Sequence, residues 1–459
     1  MCQNSSLLLG EPKNFWAKKI CLFFWFFSIF LKVRTIQKGK ITKRITSNCD
    51  DMSNKHYNWR ECIPAFSSIF SFVGFKIIDL EESKETLIVT LDATELPRCP
   101  KCGELCNRYD DVYIRSVNDF HLSIFSCRIQ FPARQIRCKC GYRGNQYLDF
   151  VHPYSHCTKR FEDYIAMLCS KMTISSVSQV IGLDWKTVKR IDIAHILDSI
   201  PSLDSITPVN IGVDEVAYQK GHKYLTVVRD LDLKAVIWVG IDRKTETMSK
   251  FYAELGPEKS KMIETCCMDM WDPYINSTKE HTDGKIIFDK FHLVKKMNEF
   301  LDKVRRRIFS EADPETKLKM KRKRFLILHK GSNLSEKNVE SLNELLDLNE
   351  VLIKAYLLKE QFLDIFDSDN RHCMPVLRLI QWMDNVEESE IKEFFPLIKT
   401  IKRHFEGIAN YFDFGYTNAA SEGFNNKINV IKRAAFGFRD LDYFILKIRQ
   451  SCGFKQIIR

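Results

Sequence analysis

Val209-Asn210-Ile211-Gly212-Val213-Asp214-Glu215 is the stretch on which the fold turns. Val209, Ile211 and Val213 alternate with Asn210, Gly212 and Asp214, the two-residue period of a β-strand. Asp214 therefore falls on the opposite face from the three apolar residues, where core packing supplies no reason for a carboxylate. Outward from this strand, residues 224–229 and 235–240 read as two further strands, antiparallel across the turn 230–234. A helix with Met248, Phe251 and Leu255 on one face ends at Gly256-Pro257, and a second short helical piece follows. Residues 265–270 form a compact apolar strand that carries Asp269. Asp272-Pro273 reads as an N-cap with proline at the first helical position, and residues 285–289 are another strand. Three strands, helix, strand, helix, strand is the order of an α/β domain.

The rest of the chain frames this domain. A length of 459 residues suits about three domains at roughly 150 residues each. A hydrophobic fraction of 45% with 28% charged residues belongs to a globular protein with a real core, which excludes a disordered chain. Lys and Arg exceed Asp and Glu by 70 to 59, a formal charge of +11 that favours an anionic partner, nucleic acid first. The 16 cysteines are scattered, so a reducing compartment fits better than a disulfide framework, with one cluster reserved for metal. Near the start, Lys18-Lys19 precede an apolar run at residues 20–31, shorter than the roughly 17–25 residues of a membrane span. No small-residue cleavage site follows it. Residues 1–51 thus read as an upstream extension with Met52 as the functional start, and no stable membrane partner is expected.

Between that extension and the α/β domain lie two smaller modules. Residues 73–80 and 86–91 are β-branched runs of a β-rich entry segment, separated by an acidic turn. Cys99-x-x-Cys102 and Cys138-x-Cys140 follow as two knuckles joined by a β-hairpin. Four thiolates suit tetrahedral Zn2+ in a structural role, with Cys106 and Cys127 as alternative ligands. Residues 161–200 are helical in three pieces, broken at Gly182, with Asp184 as the N-cap of the third. Trp185, Lys186, Thr187, Lys189 and Arg190 crowd the start of that third helix, the part of a helix-turn-helix that meets base edges. Pro201 and Pro208 bracket a linker. From His292 to about Phe405 the pattern is helical, with basic runs at Arg305-Arg306-Arg307 and Lys321-Arg322-Lys323-Arg324. On a late helix, residues 417–433, Glu422, Asn426 and Asn429 share one face, and Phe424, Ile428 and Ile431 another.

Asp214, Asp269 and Glu422 are two strand-end aspartates and one helical glutamate, the set with which an RNase H-like fold holds two divalent metals. Hard carboxylate oxygens suit Mg2+ or Mn2+, and two such ions serve attack and departure in phosphoryl transfer. Ile211-Gly212-Val213-Asp214-Glu215, Gly221-His222-Lys223-Tyr224, Met268-Asp269-Met270-Trp271, Phe288-Asp289-Lys290-Phe291-His292, Glu422-Gly423-Phe424-Asn425-Asn426-Lys427 and Tyr443-Phe444-Ile445-Leu446-Lys447-Ile448 resemble the ISL-three group of bacterial insertion-sequence transposases. The resemblance runs from about Met52 to the C-terminus.

It implies an α/β RNase H-like catalytic domain of the DDE class with a helical insertion, preceded by a small zinc-binding module and an all-α helix-turn-helix. In residues, the zinc-binding domain is 52–155, the helix-turn-helix 156–207 and the DDE domain 208–459, with the insertion at about 300–405. The knuckles depart slightly from the group's common spacing. Asp289 competes with Asp269 for the second catalytic place. Strand order favours Asp269, leaving Asp289 and His292 to resemble the accessory Asp/Cys-x-x-His element of related transposases. The implied activity is metal-dependent cleavage and transfer of DNA strands at terminal inverted repeats. The implied setting is a homo-oligomeric synaptic complex in the bacterial cytoplasm, associated with the nucleoid. The competing readings are a zinc-finger and helix-turn-helix regulator with an inactive nuclease-like domain, and a nuclease without strand transfer.

Overall fold

Two hairpins with alternating apolar residues build the first sheet of the computed structural model. Strands β1 (Phe75–Ser83) and β2 (Thr86–Ala93) pair antiparallel, burying Ile77, Leu80, Leu87, Val89 and Leu91. The longer β3 (Tyr109–Leu122) and β4 (Phe125–Arg137) form the second hairpin, and the short β5 (Arg143–Asn145) pairs with β4. β4 runs parallel to β2, giving the order β1-β2-β4-β3. The structure describes residues 59–122, 125–366, 374–416, 420–435 and 437–454. The chain divides into units Met1–Pro64 and Ala65–Arg459; in the first, the described residues include a 3-10 turn, Trp59–Cys62. The extension 1–51 and the start at Met52 lie outside the described residues. Among those described, no helix is long and apolar enough to cross a membrane.

Helices α1 (Lys159–Cys169), α2 (Ile174–Ile181) and α3 (Trp185–Ser199) close on Phe161, Ile165, Val177, Ile181, Val188 and Ile191. The break falls at Gly182, whose left-handed backbone ends α2. Asp184 caps α3 as its sequence position predicts, accepting from the N–H groups of Lys186 (3.0 Å) and Thr187 (3.4 Å). The first sheet is fastened to α1 through buried Asp119, which accepts from Thr158 Oγ1 at 2.6 Å and Arg160 Nε at 2.9 Å.

The α/β region follows the expected order: β6 (Asn210–Gln219), β7 (Lys223–Asp230), β8 (Ala235–Ile241), α4 (Thr245–Leu255), α5 (Pro257–Lys261), β9 (Thr265–Met268), α6 (Asp272–His281) and β10 (Lys285–Phe288). The sheet order is β10-β9-β6-β7-β8, with β6, β7 and β8 antiparallel and β9 and β10 parallel to β6. Strands β9 and β10 end one residue before Asp269 and Asp289. The predicted cap of α6 is corrected: Trp271 is the cap residue and Asp272 lies inside the helix. Trp271 holds the extended backbone there, its indole donating to the Arg243 carbonyl at 2.9 Å, and Asp272 pairs instead with Arg403.

Among the described residues, helices then run from α7 (Lys290–Glu311) through α8 (Pro314–Met320), α9 (Arg324–Leu328), α10 (Glu336–Leu346), α11 (Glu350–Ile365), α12 (Pro375–Glu388) and α13 (Phe395–Arg403) to α14 (Phe405–Phe414). Their apolar faces, including Leu301, Phe362, Trp382 and Leu397, belong to one continuous core with Ile211 and Val213 of β6. Helices α15 (Ala420–Ala434) and α16 (Leu441–Cys452) cover the other face of the sheet, where Ile428, Phe444 and Ile448 meet Val216, Leu225 and Val227. The period of two in β6 thus sends Ile211 and Val213 to one layer and Val216 to the other.

α16 also reaches back to the helix-turn-helix. Asp192 of α3, fully buried, accepts from Tyr443 Oη at 2.6 Å and from Lys447 Nζ at 3.1 Å. Lys447 Nζ also donates to the Cys169 carbonyl at 2.8 Å. Removing one partner of such a pair strands the other in a medium of low dielectric. Lys447→Met should therefore cost roughly 3–5 kcal/mol, read as a lower urea midpoint and faster amide exchange in α3 and α16. An unchanged midpoint would show that the pair contributes nothing to the fit of these helices.

Candidate active site and DNA-reading face

Strand register builds the acidic site. β9 lies beside β6 with Gly212 opposite Cys267, and β10 beside β9 with Phe288 opposite Met268. Two positions past the first pair and one past the second, Asp214, Asp269 and Asp289 fall in line across three neighbouring strands. Each step across the sheet is about 4.8 Å. Asp214 accepts from the N–H of Glu215 at 2.8 Å and from Asn425 Nδ2 at 2.9 Å. Asp269 accepts from the N–H of Met270 at 2.6 Å, and its other oxygen lies 3.4 Å from His292 Nδ1. Asp289 caps α7, accepting from the N–H of Phe291 at 3.1 Å.

Crowded carboxylates raise one another's pKa. Burial pushes Asp289 up, against the Phe291 N–H and His292, and Asp214 pushes it up again. Glu215 is raised by burial, then by Asp214 and Asp269, while Arg243 at 3.2 Å pulls the other way. Arg229 on β7 is 2% exposed, its pKa lowered by burial against the opposing pull of Asp214, Cys267 and Asp289. Its guanidinium lies 5.4 Å from the centre of the Phe424 ring of α15. Arg243 packs over Tyr224 at 4.2 Å and Trp271 at 4.6 Å. A concentration of negative charge balanced by two arginines can attract and hold cations.

Glu422 lies in α15 one turn before Asn425; its side chain is outside the described residues. The sequence pattern grouped Glu422 with Asn426 and Asn429, whereas the contact to Asp214 comes from Asn425. Glu215, Arg229, Arg243 and Asn425 are the site residues that sequence reasoning missed. For Arg229 a signal existed, a charge ending the apolar run Leu225-Thr226-Val227-Val228.

The four cysteines meet at the base of the β3–β4 hairpin. Sγ atoms of Cys99, Cys102, Cys138 and Cys140 all lie within 4.8 Å of one another. Cys99 and Cys140 are 3.7 Å apart, and Cys102 and Cys138 3.5 Å. A tetrahedron with metal–sulfur bonds near 2.3 Å has edges of about 3.8 Å, so the set has the size for one zinc ion. The Cys140 N–H holds the Cys138 thiol down to about 6, with help from neighbouring thiols. Gly103 and Gly141 have φ of 77° and 86°, the left-handed turn that each knuckle requires. Of the alternative ligands, Cys106 points its Sγ at the Glu104 carbonyl, and Cys127 is buried in β4 with its thiol pushed up to about 12 by burial.

On α3, Trp185 is 51% exposed, Lys186 and Arg190 are exposed and Thr187 is half-buried. Lys189 is engaged by the C-terminal helix, pairing with Asp440 at 2.5 Å and lying over the Tyr443 ring. The basic runs of the insertion are largely paired as well. Asp302 takes Arg305 (2.9 Å), Arg306 (3.3 Å) and Arg324 (3.2 Å). Arg307 pairs with Glu393 and Lys323 with Glu344. Lys321 and Arg322 are exposed, with no ion pair among the described residues.

Residues 211–448 match a family model described as a transposase, and residues 147–196 match the helix-turn-helix domain of transposase family ISL3. The transposase for insertion sequence element IS1001 of Bordetella parapertussis is 29% identical over 377 residues, 81% of this chain and 93% of that protein. The transposase for insertion sequence element IS1557 of Mycobacterium tuberculosis is 25% identical over 370 residues, 75% of this chain and 83% of its own. Among solved structures, the Drosophila P element transposase strand transfer complex aligns over 63% of this chain and 91% of that one. Its 11% identity and TM-score of 0.31 carry no argument. With more than half of its length inside the transposase model and a helix-turn-helix of the same family ahead of it, this chain belongs to the ISL3 transposases, enzymes that cut and transfer DNA.

Proposed function

We propose that this transposase binds the terminal inverted repeats of its own insertion sequence and cleaves and joins the DNA ends at two divalent cations, Mg2+ or Mn2+. Asp214, Asp269 and Glu422 hold them in an RNase H-like domain, residues 208–459, interrupted by the helical insertion. The observation that carries this reading is the alignment of Asp214 and Asp269 by the parallel register of β6 and β9. A sheet of three antiparallel strands followed by two parallel to the first supports the RNase H-like assignment. Between the rival aspartates, Asp269 keeps 31% of its side chain exposed, whereas Asp289 is 5% exposed and spent on capping α7.

Held by Asp214, Asp269 and Glu422, such cations would supply activation of the attacking water or 3′-hydroxyl and stabilisation of the leaving oxygen. Asp214 and Asp269 present hard oxygen ligands, Asn425 fixes the orientation of Asp214, and His292 steadies Asp269. Asp289 anchors the edge of the site through the start of α7. Cys99, Cys102, Cys138 and Cys140 hold a structural zinc within the domain 52–155. In the domain 156–207, Trp185, Lys186, Thr187 and Arg190 of α3 read the repeat, and Lys189 supports the helix from Asp440. Synapsis joins two or more copies, on DNA in the bacterial cytoplasm at the nucleoid.

Asp214→Asn, Asp269→Asn and Glu422→Gln should each abolish Mg2+-dependent nicking of a terminal-repeat duplex and leave binding intact, because shape survives and charge does not. A cleaving Asp269→Asn beside a dead Asp289→Asn would transfer the second ligand role to Asp289. Asn425→Ala removes a hydrogen bond to a charged group and should slow nicking about tenfold, while gel-shift affinity holds. A wild-type rate in that variant would leave Asn425 without a role in the site. Freshly purified protein should contain about one zinc per chain by elemental analysis, lost in Cys99→Ser or Cys138→Ser. Zinc-free wild-type protein would remove the structural metal from this account.

A further inference from the structure

A groove of about 960 Å³ opens between the helix-turn-helix and the end of β6. Ser175 and Gln179 of α2 and Trp185 of α3 line one wall; Tyr218 and Gln219 of β6 and Arg439, ahead of α16, line the other. The walls are held apart at a set distance, because Asp192 bonds to Tyr443 and Lys447, and Lys189 to Asp440. Tyr218 stands four residues beyond Asp214 on the same strand, a run of about 13 Å at the usual rise. The groove thus adjoins the start of α3 on one side and, on the other, the part of β6 that leads to the acidic row.

Its chemistry selects the occupant. Among the described residues no acidic residue lines it, and Arg439 is exposed and forms no ion pair. Gln179 and Gln219 offer amides, and the Trp185 indole, half open to solvent, offers a flat apolar face. A cation, neutral donors and an aromatic platform are the means by which proteins hold unpaired nucleic acid, since every base has a π-face. The groove is open to solvent on one side, and its volume has room for a nucleotide or two.

We infer that this groove is a subsite for the DNA strand between the terminal repeat and the cleaved bond, with one base unpaired and stacked on Trp185. The inference rests on the reading of α3 and Asp214 given above and adds a third contact between them.

The test uses full-length protein and a terminal-repeat duplex carrying 2-aminopurine singly at each position between the repeat and the cleavage site. At protein concentrations that saturate the duplex with each variant, one position should be quenched by wild-type protein, bright with Trp185→Ala and quenched again with Trp185→Phe. Gln179→Trp places bulk in the groove from an exposed position. It should keep repeat affinity within about threefold and slow nicking about tenfold, the scale of one lost stacking contact. If wild-type protein binds and nicks the duplex but no position depends on Trp185, or if Gln179→Trp nicks at the wild-type rate, the subsite is overturned and the transposase reading stands. If Asp214→Asn nicks the duplex, the catalytic assignment fails, whatever the aminopurine reports.

Discussion

Parallel register among β6, β9 and β10 is the constraint from which the acidic site follows. A slip of one residue in either pairing would turn a whole strand over, moving its carboxylate to the opposite face and its apolar neighbours with it. The register is therefore secured by burial on both faces: Ile211 and Val213 on one side, Val216 on the other, and Cys266, Cys267 and Met268 within β9. Aligned this way, Asp214, Asp269 and Asp289 repel one another; burial first, and the neighbouring carboxylates after it, raise the pKa of Asp289 and Glu215. Arg229, sunk into the sheet beside them, is the compensating charge that lets the fold tolerate the arrangement.

Helix α15 does two jobs with two faces. Ile428 seals the layer against Val216 and Leu225, and Asn425 reaches Asp214. Because one element both closes the core and approaches the acidic row, the position of Glu422 is set by hydrophobic packing some two turns away. A methylene lost from the packing of Ile428 would be felt as a shift in chemistry, since cores relax only partially around a deletion.

Local signals made much of this legible from sequence. The alternation around Asp214, the β-hairpin between the cysteine knuckles, the break at Gly182 and the cap at Asp184 are properties of neighbouring residues, and the structure repeats them. What escaped depends on partners far apart in the chain. Asp192 reads as an ordinary helical surface charge until Tyr443 and Lys447 arrive, and Arg229 as a charge ending an apolar strand until the acidic row is assembled. Asn425 and Asn426 are indistinguishable by composition; only the docking angle of α15 chooses between them. The cap of α6 escaped for a similar reason, since the Arg243 carbonyl that pins Trp271 lies outside the helix. The insertion's arginines read only as basic runs in the sequence, whereas in the structure Asp302 gathers three of them.

The bond between Asp192 and Lys447 has a temporal meaning. These residues stand 255 positions apart, and a ribosome adding about 5–20 residues per second needs on the order of ten to fifty seconds to cover that distance. Through that interval the emerging helix-turn-helix carries a carboxylate bound for the interior with no cation to meet it, and Lys189 has no Asp440. Helix α3 of a nascent chain stays incompletely braced until the last turns of α16 leave the ribosome. A chain truncated before α16 would carry the helix-turn-helix without Tyr443 and Lys447 to meet Asp192. Asp192 and Lys189 meet these partners only in chains that also carry α16.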